Sequence, residues 1–460
     1  MILQLNRILF VLGGGIGILF SVLPRTMAQP TGEGSIRVTP GGFQKELSVG
    51  IAELDVTTGR DNELEVQYVK TMAYDLEFSD YFKPLPNSAQ MAAQHARDRE
   101  LQAIDYGAWQ SLKAEILVKG RFDDSGNAGT IHLYAHDIYE QASILALRYD
   151  LVYDSRERKI REIRRAVHAF ADKLVQKYDD MGLPGCAHSY IAFENKQRRA
   201  DTAGNQKLVR EIYIMDYDGR NIRQITQDRN LAISPAWSPD GRKLVYTSFR
   251  QGLADLYIYD LDSGQIRVLS AFPGLNSAAS WAPDGRSLAV TLSRDGNPEI
   301  YVIGANGSNP RRITHTKAVE TSPTWSKDGS TIFFISDRYG APQIMGITAD
   351  GGRNWRVTRG GHNDDPEVSP RGDKLVYTSN QGGGGFNIWT SNLDGSDARN
   401  LTGDLRGNSE HPSWAPDGRH IVFGAPDGRI MVMDADGSDK RALTTSSRIP
   451  GTNHSPSWGP

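Results

Sequence analysis

Ser234-Pro235-Ala236-Trp237-Ser238-Pro239-Asp240-Gly241 decides how this chain is read, because it comes back. It returns as Ala278-Ala279-Ser280-Trp281-Ala282-Pro283-Asp284-Gly285, as Ser322-Pro323-Thr324-Trp325-Ser326-Lys327-Asp328-Gly329 and as His411-Pro412-Ser413-Trp414-Ala415-Pro416-Asp417-Gly418. A weaker copy is Asp365-Pro366-Glu367-Val368-Ser369-Pro370-Arg371-Gly372, and the beginning of a sixth is Ser455-Pro456-Ser457-Trp458-Gly459-Pro460. The Trp position, Val368 included, recurs at steps of 44, 44, 43, 46 and 44 residues. A fixed period of this size is the mark of a solenoid, propeller or array.

Each repeat reads as four short antiparallel strands. The Asp-Gly pair joins two β-rich runs, such as the lead-in to Trp237 and Lys243–Tyr246. Gly there accepts a positive φ without a Cβ clash, which makes it a strong hairpin signal. A third run, Asp255–Asp260, and a fourth, Ile266–Leu269, complete a propeller blade. The first unit has strands at Tyr190–Phe193, Glu211–Asp216 and Arg223–Thr226 with no motif strand before them, while Pro456–Trp458 has no blade behind it. Joining the two gives six blades and a C-terminal strand that closes the ring. The repeated Trp residues read as wedges between blades.

The chain has 460 residues and a net charge of −3 without a basic block, so nucleic-acid binding has no electrostatic footprint. The single cysteine, Cys186, excludes a disulfide framework and a thiolate zinc site within one chain. Residues 1–28 read as a secretory signal: Arg7, an apolar run Ile8–Leu23, and small residues before a cut at Gln29. The alternative is an uncleaved membrane anchor, against which stand the shortness of the run and its four glycines. Cleavage removes Arg7 and Arg25 and no acids, taking the charge from −3 to −5.

Residues 29–43, rich in Gly, Pro and Thr, form a flexible arm in this reading. Residues 44–182 follow as an α/β domain. Strands are expected at Val49–Val56, Tyr81–Leu85, Ile116–Phe122, Thr130–Asp137 and Ser143–Val152. A helix over Asp61–Ser79 would bury Val66, Val69, Met72, Ala73 and Leu76, and a second helix lies near Ile104–Lys113. Asp154 and Glu157 resemble a capping box for a third helix, whose face carries Ile160, Ile163, Val167, Phe170, Ala171, Leu174 and Tyr178, with Gly182 able to cap its end. Residues 183–460 form the propeller, so the fold class is α+β multidomain.

Catalytic patterns are sparse. His132 and His136 would lie about 13 Å apart along a strand, too far for one zinc ion. There is no Gly-x-Ser-x-Gly elbow, and Gly382–Gly385 reads as a hairpin tip, not a phosphate loop. The Asp216–Gly219 and Asp434–Gly437 turns lack the later Glu of a calcium loop. Asp364, Asp365 and Glu410 stand where a propeller funnel could gather carboxylates, which keeps an exported glycosidase or carbohydrate binder open as the alternative.

The segments leading into each motif share one face of the ring with the hairpins between second and third strands. They vary while the Asp-Gly turns repeat, which suits a recognition surface. Candidate contacts are Ile233, Leu275, Asn276, Ala278, Glu320, Thr321, Ser322, Asp365, Glu410, His411, His454 and Ser455. Their mixture of acidic, amide and apolar groups fits a protein segment better than a sugar.

The Pro-x-Trp-Ser-Pro-Asp-Gly repeats, Met72-Ala73-Tyr74-Asp75-Leu76, Tyr81-Phe82-Lys83-Pro84-Leu85 and the ending Pro456-Ser457-Trp458-Gly459-Pro460 resemble the TolB family of the Tol–Pal system of Gram-negative bacteria. The resemblance covers nearly all of the chain after the signal. It implies a periplasmic, monomeric, non-enzymatic scaffold for outer-membrane invagination during cell division and for envelope integrity. The propeller mouth would bind the lipoprotein Pal, with Ile233, Leu275, Ala278, Thr321 and Ser322 in the matching segments. The arm, through Ile36, Arg37 and Val38, would contact TolA. No cofactor is expected, and a calcium ion in the channel is left open.

Overall fold

A computed structural model describes residues 46–59, 61–86, 104–200, 204–445 and 449–460. The signal and the arm, with Ile36, Arg37 and Val38, lie outside the described residues.

The N-terminal part is a sheet of β1 (Leu47–Val56), β2 (Phe82–Pro84), β3 (Ile116–Asp124), β4 (Ala128–Asp137) and β5 (Ala142–Val152), in the order β2-β1-β3-β4-β5. β1 pairs in parallel with β2 and β3, and the β3–β4–β5 pairings are antiparallel. Helices α1 (Asn62–Phe78) and α3 (Arg156–Tyr178) cover one face, and the short α2 (Tyr106–Ser111) plugs the other with Trp109. Gly50 makes room for that indole: a Cβ there would stand 2.4 Å from the ring.

Two details of the helices differ from the sequence reading. In α1 the buried stripe is Leu64, Tyr68, Met72 and Leu76, a strict four-residue spacing, and Val66 is exposed. In α3 the N-cap is Ser155, whose hydroxyl accepts the Arg158 N–H, while Asp154 pairs with the Arg158 guanidinium at 3.2 Å. The helix ends at Asp179, and Gly182 follows it by three residues, with φ +67°.

The rest is a six-bladed propeller. Five four-stranded sheets have inner strands Ala232–Trp237, Asn276–Trp281, Glu320–Trp325, Asn363–Val368 and Glu410–Trp414, and we number the blades 1–5 in that order. In blade 6 the inner strand is Thr452–Trp458, hydrogen-bonded to Tyr190–Ala200. That second strand and its partner Gln206–Asp216 run well past the expected ends, as a long hairpin.

Each repeated aromatic packs against the preceding blade. Trp281 lies with Val245, Leu256 and Ile258 of blade 1, and Trp414 with Val376 and Ile388 of blade 4. Val368 fills the same place with Phe333, Ile335 and Ile344 of blade 3. A second seam lies farther out, where the turn before the fourth strand sits on its neighbour. A Cβ on Gly307 would lie 1.9 Å from the Leu269 carbonyl oxygen of the blade before.

The sheet and its helices rest on the Asp-Gly face of the ring. Phe78 of α1 packs among Cys186, Tyr217, Val422, Leu443 and Trp458. Asp75 accepts hydrogen bonds from Tyr217 at 2.5 Å and from His168 Nδ1 at 2.7 Å. Arg371, which replaces the motif Asp in blade 4, instead pairs with Asp179 and with Asp180 at 2.8 Å. No helix among the described residues is long and apolar enough to cross a membrane.

Candidate functional site: the open mouth of the propeller

The opposite face is uncovered among the described residues and opens into a central cavity of about 710 Å³ lined by the motif residues of all six blades. Its shape follows from one backbone device repeated six times. Ser234, Ala278, Ser322, Asp365, His411 and Ser455 all have φ between +45° and +54°. None is glycine, and this conformation costs an L-residue about 1 kcal/mol or more. At each of these places the ladder to the second strand skips, as between Ser277 and Ser280 or between Thr321 and Thr324. These are β-bulges. The Pro that follows in most copies fits, because Pro within a sheet is confined to edges and bulges.

The bulge sets which side chains reach the mouth. In blade 2, Asn276, Ala279 and Trp281 point inward, while Ser277 and Ala278 stand half-buried at the rim. The same pattern puts Glu320 inside and Thr321 and Ser322 at the rim. Asn276 and Glu320 are therefore corrections to the candidate set: each is fully buried, and neither offers a surface to a partner. Asn276 accepts from Ser270 and from the Phe272 N–H and donates to the Phe272 carbonyl, bracing its own loop. Glu320 accepts both Arg338 contacts at 2.8 and 2.9 Å, together with Ser336 and Thr316.

Ile233, Leu275, Ala278, Thr321, Ser322, Asp365, Glu410, His411, His454 and Ser455 are all half-buried at the rim or throat. Neighbouring blades are tied together there by side chains that the sequence reading missed. Glu194 of blade 6 accepts the Ser234 N–H at 2.9 Å and Arg210 at 2.7 Å. Thr247 of blade 1 accepts the Ala278 N–H at 3.3 Å, and Thr378 of blade 4 the His411 N–H at 3.0 Å. The signal available was a polar residue near the end of an otherwise apolar second strand.

The rim mixes apolar and charged groups. Along blades 1–3 it carries Ile233, Leu275 and Val319, and the adjoining hairpins add Leu253 and Tyr339, which are 65% and 54% exposed, beside the charges of Arg250, Arg294, Asp295 and Asp337. Along blades 4–6 it carries His362, Asp364, Glu410, His411 and His454. His411 Nδ1 lies 2.7 Å from Asp365. Burial alone would lower the His411 pKa, but the Asp365 charge and hydrogen bond outweigh it and raise it to about 9. Asp365 is correspondingly held below its ordinary value: burial opposes this, and His411 prevails. Burial and the Asp365 charge push Asp364 up to about 6, and burial pushes Glu367, deeper in the throat, up to about 7. His454 is pushed down to about 4, by burial first and then by Arg210 and Lys196.

His132 and His136 are outside this site. His132 lies 3.4 Å from Asp123, and His136 stacks on Tyr134.

The chain was compared with known proteins. Residues 182–460 match the model of the TolB beta propeller domain, and residues 34–144 that of the TolB amino-terminal domain. A Tol-Pal system protein TolB from Desulfosudis oleivorans is 33% identical over 215 residues, 46% of this chain and 45% of the relative. Another from Geobacter metallireducens is 34% identical over 241 residues, 52% of this chain and 50% of the relative. The chain thus spans about half the length of the curated relatives it matches. The crystal structure of TolB from Acinetobacter baumannii superposes with a TM-score of 0.70 at 26% identity, covering 91% of this chain and 97% of that one. A six-bladed ring closed by its last strand, an α/β layer on its Asp-Gly face and family matches over both parts lead to one conclusion: the chain belongs to the TolB family.

Proposed function

We propose that this protein is a non-enzymatic periplasmic scaffold of a Tol–Pal system, binding the lipoprotein Pal at the propeller mouth. The carrying observation is the rim around six bulges, where the apolar residues Ile233, Leu275, Val319, Leu253 and Tyr339 gather along blades 1–3 and charged groups stand beside and opposite them. Such a surface suits a folded protein partner: apolar anchors supply affinity, and a charged flank supplies orientation and on-rate. The names of the matched relatives place them in the Tol–Pal system. The N-terminal arm, through Ile36, Arg37 and Val38, is proposed to contact TolA. The two contacts together would serve outer-membrane invagination at division and envelope integrity.

The test is calorimetry of the mature chain with soluble Pal from the same organism. Thr321→Arg and Ala278→Arg each place a long cation among the apolar residues of the rim, and of the two only Thr321→Arg removes a side-chain contact, the one from the Thr291 hydroxyl. Micromolar or tighter binding that both substitutions abolish is the expected result. Absence of heat at high micromolar Pal would remove the proposal.

One observation favours the enzymatic alternative: Asp364 is raised and Asp365 lowered, the electrostatic pattern of an acid–base carboxylate pair. Asp365, however, is committed to His411. Glycan hydrolysis that Asp364→Asn abolishes would establish this reading in place of the scaffold.

A further inference from the structure

The contact between α1 and blade 5 contains a group that the packing of the two layers does not explain. His420 opens the second strand of blade 5 and is 1% exposed. Its Nδ1 donates to Asp417 Oδ2 at 2.7 Å. Its Nε2 is buried and has no hydrogen-bond partner. That nitrogen faces Asp80 Oδ2 at 3.6 Å, from the turn after α1, and Asp434 Oδ1 at 3.7 Å, from the end of the third strand of blade 5. The three atoms lie within 4.8 Å of one another.

We infer that His420, Asp80 and Asp434 form a binding site for a divalent cation of the zinc class, clipping the N-terminal layer to the propeller. With Nδ1 protonated toward Asp417, Nε2 presents a lone pair to two carboxylates, and three acceptors converge on one point. Separations of 3.6 and 3.7 Å are too long for hydrogen bonds. They are close to the roughly 3.3 Å between two ligands of one tetrahedral zinc with bonds of about 2.0–2.1 Å. A histidine whose second nitrogen is held by a carboxylate is the usual arrangement for a metal ligand, because it fixes the tautomer and ring orientation.

The surroundings agree. Asp434 Oδ2 accepts Ser438 Oγ at 2.8 Å, which leaves Oδ1 for the ion. Asp417 supports the site from behind: its Oδ1 accepts the N–H groups of Arg419 and His420. Blade 5 has Ala415 where blades 1 and 3 have Ser238 and Ser326, whose hydroxyls bond their own motif Asp, so no hydroxyl from that position competes for Asp417. The nearby cations are engaged elsewhere: Arg419 lies over the Tyr81 ring, and Arg441 over Phe78 with Asp439 beside it. Asp80 is 48% exposed, which gives an entry path and room for water as a fourth ligand.

The experiment is a titration of the metal-stripped mature chain with zinc chloride, read by calorimetry and by melting temperature. One zinc per chain and a rise in melting temperature are expected. Asp80→Asn and Asp434→Asn should each weaken zinc binding at least about tenfold. Asn keeps the side-chain volume, and at residue 80 it tolerates the φ of +60°. Both variants should therefore fold, which circular dichroism would verify before titration. Asp364→Asn, in the channel mouth, should bind zinc normally. Absence of stoichiometric zinc at high micromolar concentration, or binding indifferent to both substitutions at the clip, would overturn the assignment and leave His420 as a buried imidazolium.

Discussion

Glu320→Ala separates support from contact at the mouth. The carboxylate is fully buried beneath Thr321 and takes two contacts from Arg338 and one each from Ser336 and Thr316. Removing one member of a buried ion pair costs about 3–5 kcal/mol, chiefly because the other charge is left unpaired. Arg338 keeps 20% of its side chain exposed, so the lower end, about 3 kcal/mol, applies here. For a urea slope of about 1–3 kcal/mol/M, the unfolding midpoint should fall by about 1–3 M with the slope unchanged. The pair itself is no strong net stabiliser, because burial raises the Glu320 pKa in spite of Arg338. Glu320→Gln combined with Arg338→Met should therefore be more stable than Glu320→Ala alone. A loss below about 1 kcal/mol in Glu320→Ala, or a double variant as unstable as the sum of its single substitutions, would refute this account.

The His411–Asp365 pair gives the ring a pH signature. The folded pKa of His411, about 9, exceeds its ordinary 6.5, so its contribution is complete below pH 6.5 and is lost as pH rises through about 9. Melting temperatures between those limits should fall more steeply in the wild type than in His411→Gln, and parallel curves would dismiss the pair as a source of stability. Gly307→Ala should cost at least about 2 kcal/mol, since it combines a positive φ with a Cβ driven into the Leu269 carbonyl. Urea unfolding measures it, and a neutral effect would mean that the seam between blades 1 and 2 yields easily.

Blade number, ring closure and the place of the repeated Trp residues were legible because a 44-residue step survives local variation. The parity of the inner strands was not. A strand of period two would put Asn276 and Ala278 on the same side, but the bulge inserts a residue between Ser277 and Ser280, so that Asn276 faces inward with Ala279, as Glu320 does in blade 3. Pro235, Pro323, Pro366, Pro412 and Pro456 mark that bulge, and a proline inside a strand is the signal from which it could have been read. In the α1 stripe only Val66 was misplaced: Met72 and Leu76 are buried and Val69 and Ala73 pack against the core, while Leu64 and Tyr68 complete the contact. The inter-blade ties of Glu194, Thr247 and Thr378 join residues 31 to 40 positions apart, a spacing that no local pattern reveals.

Closure of the ring also orders events in time. Asn195 and Asn453 are bonded at 2.8 Å across 258 positions, and the whole register from Lys196 to Ile191 waits on Thr452–Trp458. During synthesis at about 5–20 residues per second, the strand Tyr190–Ala200 spends many seconds with one edge unpaired. An open edge of that length is a template for a foreign strand. The charges on it, Glu194, Lys196, Arg198 and Arg199, serve as guards for that interval, discouraging misassembly before the chain's own last strand arrives.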